Sequence, residues 1–278
     1  MILIADSGST KTHWCVVDKY TIVKEVFTTG INPYYQSEEE IHELIETQLL
    51  SDIQEYSFES LSFYGAGCAL PEKQLLLNNI IGKYIAGIPI FVESDLLAAA
   101  RSLFKREKGI ACILGTGSNS CLYDGKEIVE NVPSLGFILG DEGSGAVLGK
   151  RLVSDILKKQ LPADLTEKFL EEYKLTVGIV QEHVYKKPFP NRYLAKLSLF
   201  LLENIERPEL KAIVYEEFER FIKRNVMQYP YREYKTGFIG SVAYYFADIL
   251  RSVCQKQDIE VIDIIQQPMK GLVKYHTL

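Results

Sequence analysis

The strongest constraint on this chain is a pattern that opens it and then restarts near residue 108. Residues 2–6 form an apolar run of β character, Ser7-Gly8-Ser9-Thr10 reads as a turn, and residues 12–18 and 21–28 supply two further β runs. Three such runs in succession make a β-meander. The second start has the same form: residues 109–114, the turn Gly115-Thr116-Gly117, residues 118–123, the hairpin turn Asp124-Gly125, and residues 126–131. After the first start, strands alternate with helices. Ser37-Glu38-Glu39-Glu40 is a helix-start signal followed by Ile41, Leu44, Ile45 and Leu49 at helical spacing. Residues 61–64 and 88–92 read as strands, Pro71 opens one helix, and Asp95 opens another through Ala98-Ala99-Ala100. The sheet is therefore expected to be mixed or parallel, in an α/β fold.

From Gly140 to about Met227 the pattern is mainly helical, with a late strand at 236–239, a final strand at 261–265, and a short helix after Pro268 that returns to the first lobe. Two lobes are expected, residues 1–107 plus about 265–278, and residues 108–264. With 278 residues and 47% hydrophobic content, the chain has the material for two ordinary cores.

Charge and cysteine usage narrow the functional classes. The net charge is −6, which supplies no basic face for phosphate neutralisation and argues against nucleic acid as a partner. No basic region precedes the first apolar residues, so no export signal is read. The longest apolar stretches, such as residues 197–202, fall well short of the roughly 18 residues that span a bilayer. The expected location is cytoplasmic. Five cysteines (Cys15, Cys68, Cys112, Cys121, Cys254) make no CxxC pair and suit reduced thiols in a core. The four histidines show no zinc-ligand spacing.

The chemistry is expected at three glycine turns, each following a strand: Asp6-Ser7-Gly8-Ser9-Thr10-Lys11, Gly115-Thr116-Gly117-Ser118-Asn119 and Gly240-Ser241-Val242. Glycine lets the backbone approach an anion closely and aim its N–H groups at it. One such turn is commonly just a tight hairpin. Three in one chain, two of them rich in hydroxyls, point towards phosphate. No stretch matches GxxxxGK[ST], and neither Gly65-Ala66-Gly67 nor Gly115-Thr116-Gly117 continues to GxGxxG.

In order along the chain, Asp6-Ser7-Gly8-Ser9-Thr10-Lys11-Thr12, Gly115-Thr116-Gly117-Ser118-Asn119, Leu139-Gly140-Asp141-Glu142-Gly143-Ser144-Gly145 and Gly240-Ser241-Val242-Ala243 resemble the motifs of the N-acetylglucosamine kinase and BadF/BadG-type ATPase family, within the actin, hexokinase and heat-shock chaperone superfamily. The resemblance implies two ribonuclease-H-like lobes closing on MgATP and a sugar, and an ATP-dependent amino-sugar kinase. It places Asp6 at Mg²⁺ through water, Ser9, Thr10 and Lys11 at the phosphates, Gly115, Thr116 and Gly117 at the β/γ-phosphates, and Gly240 and Ser241 beside adenosine. Asn32, Asp95, Ser118, Asn119 and Asp141 would face the sugar, with Asp95 as general base. Dimers are common in that family. This chain reads Pro133-Ser134-Leu135-Gly136-Phe137-Ile138-Leu139 where family kinases carry a Trp, so an aromatic wall of the sugar site is expected to be missing.

Ordinary structural roles compete for these residues. Asp95 suits a helix N-cap, Asp141 and Glu142 suit a helix N-terminus, and Asn32 before Pro33 suits a turn. Tyr34, Tyr35, Phe63 and Tyr64 read as packing residues, Trp14 as core, and Lys105-Arg106-Glu107-Lys108 as a solvated helix end. Two other functions stay open on the residues: a BadF-type ATPase driving a partner through an iron–sulfur cluster, and a nucleotide- or sugar-binding sensor.

Overall fold

The computed structural model describes residues 1–8 and 10–278, so Ser9 lies outside the described residues. By internal contacts the chain divides into a unit of residues 1–107, 123–128 and 267–278, and a unit of residues 108–122 and 129–266.

In the first unit, strands β1 (Ile2–Ser7), β2 (Lys11–Asp18), β3 (Thr21–Thr29), β4 (Ser60–Gly65) and β5 (Ile90–Ser94) form one sheet in the order β3-β2-β1-β4-β5. The β1–β2 and β2–β3 pairs are antiparallel, as the short turns between them require, whereas β4 and β5 run parallel to β1. Helices α1 (Glu38–Gln48) and α2 (Leu50–Ile53) connect β3 to β4, α3 (Pro71–Tyr84) connects β4 to β5, and α4 (Asp95–Phe104) follows β5. Strand β1 carries apolar residues towards both faces because both are covered. Leu3, Ala5, Trp14 and Phe63 pack with Ile41, Ile45, Leu77 and Ile81 of α1 and α3. On the opposite side, Ile4, Cys15, Val17 and Tyr64 pack with Ala98 and the C-terminal residues Met269, Leu272 and Val273. The start of α1 is fixed by a reciprocal capping box between Ser37 and Glu40.

In the second unit, β6 (Gly109–Leu114), β7 (Ser118–Tyr123), β8 (Ile128–Val132), β9 (Thr236–Ile239) and β10 (Val261–Ile265) form a sheet in the order β10-β9-β6-β7-β8. Read from its other edge, this is the order of the first sheet, with β9 parallel to both β6 and β10. Between β8 and β9 lie α5 (Gly136–Leu139), α6 (Gly145–Leu157), α7 (Ala163–Tyr173), α8 (Val177–Tyr185), α9 (Pro190–Leu197), α10 (Leu199–Glu203) and α11 (Pro208–Arg224). They enclose a core in which Phe169, Phe200, Phe218 and Phe221 are fully buried. Helices α12 (Ser241–Tyr245) and α13 (Ala247–Lys256) join β9 to β10, and α14 (Met269–Thr277) ends the chain on the first unit. Among the described residues, no helix is long and apolar enough to cross a membrane.

Several local expectations are corrected. The helix expected from Gly140 begins instead at Gly145, because Ser144 caps it by accepting the N–H of Val147. Tyr34 and Tyr35 are 60% and 71% exposed, since the turn they occupy spends its backbone on Asn32 and points their rings outward. Residues 105–108 are not simply solvated. Lys105 Nζ donates to the Ser102 carbonyl at 2.5 Å, and the Arg106 guanidinium donates to Tyr275 Oη at 2.7 Å while lying over its ring.

Candidate functional site

In the first unit, parallel pairing brings the C-terminal ends of β1, β4 and β5 to one sheet edge. Asp6 pairs with Tyr64, Ser7 with Gly65, and Gly65 with Ser94. This is the edge at which parallel α/β sheets take their ligands. Asp6, at the end of β1, and Asp95, one residue past β5, are both half-buried there. Burial first and the Asp95 carboxylate second push the Asp6 carboxyl up to about 7, with Lys11 opposing. Burial also raises Asp95, while the backbone N–H groups of Leu96 and Asp95 itself pull against the rise. The cap of α4 is Ser94, whose hydroxyl accepts the Leu97 N–H at 3.2 Å. Asp95 is thus not the N-cap, and its carboxylate stands at the first helical position beside Asp6.

Asn32 sits at the same edge through two structural devices. Ser7 Oγ, buried, bonds Thr12 Oγ1 at 2.7 Å and both the carbonyl and the N–H of Ile31 at 2.9 Å, which fixes the residue before Asn32. The Asn32 side chain lies against Gly67, where φ is +82° and a Cβ would fall 2.3 Å from Asn32 Oδ1. Asn32 Oδ1 also accepts the Tyr34 N–H at 2.9 Å, so the turn role expected of it is present. Lys11 is exposed at the start of β2, with its ammonium 5.2 Å from the centre of the Phe27 ring; Thr10 is exposed beside it.

The second unit gathers the other candidates. The turn after β6 is closed by the Gly115 N–H on the Gly117 carbonyl at 2.9 Å. The start of α6 is tied to it, Gly145 N–H donating to the Gly115 carbonyl at 2.8 Å and Ala146 N–H to the Thr116 carbonyl at 3.1 Å. Asp141, with φ of +56°, turns its carboxylate onto this loop, accepting the Ser118 N–H and lying 3.0 Å from where a Gly117 Cβ would stand. Burial lifts it to about 6. A non-glycine residue in the left-handed region is uncommon and marks a constrained site. Gly240, with φ of +121°, presses its backbone on the same loop, since a Cβ there would meet the Leu114 carbonyl at 2.3 Å. Ser241 next to it is exposed, Ser118 is buried, and Asn119 Oδ1 is taken up by the Ser120 N–H and Asn131 Nδ2.

Glu142 has a different partner from Asp141. Its carboxylate is buried against the Arg224 guanidinium and 3.4 Å from Asn225 Nδ2. Gly143 then packs on Phe218 and Phe221, and Ser144 starts α6. Asp141 and Gly145 therefore meet the glycine turn, while Glu142 and Gly143 between them face the helical part of the unit. Neither acid lies in a helix, so the expected helix-terminus role is corrected for both. Ser7, Thr12 and Gly67 were not among the expected site residues. Ser7 and Thr12 lie within the first motif but without a role assigned to them, and Gly67 is signalled only as a second glycine after β4.

Two α/β units of one strand order, each with residues suited to phosphate, metal or hydroxyl contacts at its ligand edge, define a ribonuclease-H-like fold of the actin-like ATPase class. No protein-family model matches the chain. Among solved structures, a candidate N-acetylglucosamine kinase from Porphyromonas gingivalis is 45% identical over 100% of this chain and 99% of its own, with a TM-score of 0.97. The chain therefore belongs to the N-acetylglucosamine kinase family. A second candidate N-acetylglucosamine kinase, from Chromobacterium violaceum, shares the fold at 17% identity and a TM-score of 0.78, covering 99% of this chain and 98% of that one. The N-acetylmuramic acid/N-acetylglucosamine kinase of Clostridium acetobutylicum is 30% identical over 161 residues, 55% of this chain, and the match spans about half (52%) of that relative.

Proposed function

We propose that this protein is an ATP-dependent kinase that phosphorylates a hydroxyl of an N-acetylated amino sugar, with the C6 hydroxyl of N-acetylglucosamine as first choice. The observation that carries this reading is the pair of half-buried carboxylates, Asp6 and Asp95, at the C-terminal ends of the parallel strands β1 and β5. Phosphoryl transfer asks a protein mainly to align the acceptor with the γ-phosphate and to neutralise developing charge. Asp95 takes the proton of the sugar hydroxyl as its oxygen attacks the γ-phosphorus and ADP leaves. Its burial raises the carboxyl towards the range where a carboxylate accepts a proton.

Asp6 and Asp95 offer only oxygen donors, and the Asp95 carboxylate raises the proton affinity of Asp6, a charge crowding that a divalent cation relieves, so this edge fits Mg²⁺. Mg²⁺ bound with ATP supplies charge neutralisation on the transferred phosphoryl group, and Asp6 would hold it through water. Thr10 and Lys11 are assigned to the phosphates from the first unit, and Gly115, Thr116 and Gly117 from the second. Ser9 keeps its expected phosphate role as a proposal only. Gly240 and Ser241 are assigned to the adenosine. Asn32, Ser118, Asn119 and Asp141 are assigned to sugar hydroxyls and the acyl group, Asn119 through its amide because its carbonyl is already occupied.

A partner-driving ATPase with a shared iron–sulfur cluster has less support, because all five cysteines are buried thiols and Cys112 and Cys254 lie in the core of the second unit. Incubation with MgATP and N-acetylglucosamine, followed by mass and NMR analysis of the sugar, is expected to give N-acetylglucosamine 6-phosphate. ATP hydrolysis that leaves every sugar unmodified would overturn the reading.

A further inference from the structure

We propose that His13, Cys15 and Glu25 form a Zn²⁺ site on the β2–β3 ribbon, separate from the residues assigned to Mg²⁺ and ATP. His13 and Cys15 are two apart on β2, so the strand period sends both side chains to one face. Antiparallel register sets Glu25 of β3 directly opposite Cys15. The three ligand atoms all lie within 4.8 Å of one another, and among the described residues no other His, Cys, Asp or Glu group meets that condition.

The donor spacing is that of a tetrahedral metal. Bond lengths of about 2.3 Å to sulfur and about 2.0–2.2 Å to nitrogen and oxygen imply donor separations of roughly 3.4–3.6 Å. Here Cys15 Sγ stands 3.3 Å from His13 Nε2, His13 Nε2 stands 2.9 Å from Glu25 Oε1, and Cys15 Sγ stands 4.0 Å from Glu25 Oε1. Each pair needs to move by only about half an ångström.

The surroundings also suit a metal. His13 and Cys15 are buried, and Phe27 stacks on the His13 ring at a centroid distance of 4.4 Å and an angle of 20°, which fixes the ring plane. The Glu25 side chain is 51% exposed, so the fourth position opens to solvent, as in a three-ligand site that keeps a water. One thiolate and one carboxylate balance the two charges of Zn²⁺. Asp6 stands opposite His13 in the β1–β2 register, and the charge of Lys11 opposes binding. Binding replaces the Cys15 thiol proton, which is released to solvent.

The mixed nitrogen, sulfur and oxygen set favours Zn²⁺ over Mg²⁺, which takes oxygen ligands. The test is a Co²⁺ titration of the untagged full chain in excess Mg²⁺, since an all-oxygen site gives no thiolate-to-cobalt charge-transfer absorption. One equivalent is expected to give that band, to be displaced by Zn²⁺, and to lose it in Cys15→Ser. Glu25→Gln, at the half-exposed rim, keeps the fold and is expected to weaken Zn²⁺ binding about 10-fold or more, while sugar-dependent turnover in MgATP stays unchanged. Absence of a thiolate band in the native protein, a band that survives Cys15→Ser, or equal Zn²⁺ affinity in Glu25→Gln would overturn the proposal.

Discussion

The two units share one strand order and differ in what stands at the ends of their strands. At the end of β1 the first unit carries Asp6, and the residue in the matching place of β6 is Ile113. After β5 it carries Asp95, whereas the second unit uses glycine turns after β6 and β9 and a single acid, Asp141, brought in from the segment before α6. A shared topology thus fixes where the strand ends gather, and the residues on those ends decide the chemistry. One unit places carboxylates at the ends of its parallel strands, and the other places glycine turns there.

The comparison can be broken most severely at the carboxylates. Asp95→Asn is expected to lower kcat about 10²-fold or more with the fold retained, because it removes the proton acceptor and leaves the cap on Ser94 intact. Near-normal turnover by coupled ADP release would remove Asp95 from the chemistry.

Substitution of the glycines sharpens the other half. Gly240→Ala places a Cβ 2.3 Å from the Leu114 carbonyl at a φ of +121°, and a loss of about 2–4 kcal/mol in denaturant unfolding is expected. At Gly115 a Cβ meets nothing within 4 Å, so Gly115→Ala is expected to keep native stability while raising KM for ATP. Equal destabilisation by both would mean that these turns serve packing alone.

A third contrast concerns stability. The native Asp6 carboxyl at about 7 lies above its ordinary 3.8, so between those values the folded protein binds more protons than the unfolded chain. Stability contributed by Asp6 is therefore present at low pH and lost as pH rises towards 7. Asp6→Asn is expected to stabilise the protein by about 1–4 kcal/mol at pH 8 while abolishing turnover. A functional residue that costs stability behaves this way; a structural one would destabilise when replaced.

Away from both edges, His276 has the opposite sign. Burial first, then Arg101 and Arg106, lower it to about 4, and its ring accepts or donates at 2.8 Å with Tyr64 Oη. Its contribution is complete above about 6.5 and is lost as pH falls towards 4, at most about 3 kcal/mol. His276→Gln is expected to flatten that acid limb in thermal melts; an unchanged limb would assign it to other groups.

Much of this was legible in the residues, for identifiable reasons. The meander, the helix at Ser37, the late strand at 236–239 and the restart of the β pattern each carry a local signal of period, cap or turn. Trp14 and Phe63 are buried as expected of large apolar groups. What stayed hidden depends on tertiary approach. Nothing local tells that Ser94 and not Asp95 takes the cap, that Asp141 turns left-handed onto the glycine loop while Glu142 pairs with Arg224, or that Tyr34 and Tyr35 face outward. The His13, Cys15 and Glu25 cluster was equally invisible, because its third member joins through strand register and not through sequence spacing.

The central claim is sugar-dependent transfer that requires Asp95. Coupled ADP release with MgATP should be measured alone and with N-acetylglucosamine, N-acetylmuramic acid, glucosamine, N-acetylmannosamine and glucose, for the native chain and Asp95→Asn. Strong stimulation by an N-acetylated amino sugar, lost in the variant, is the predicted result; ADP release indifferent to every sugar, or equal in the two proteins, would contradict it.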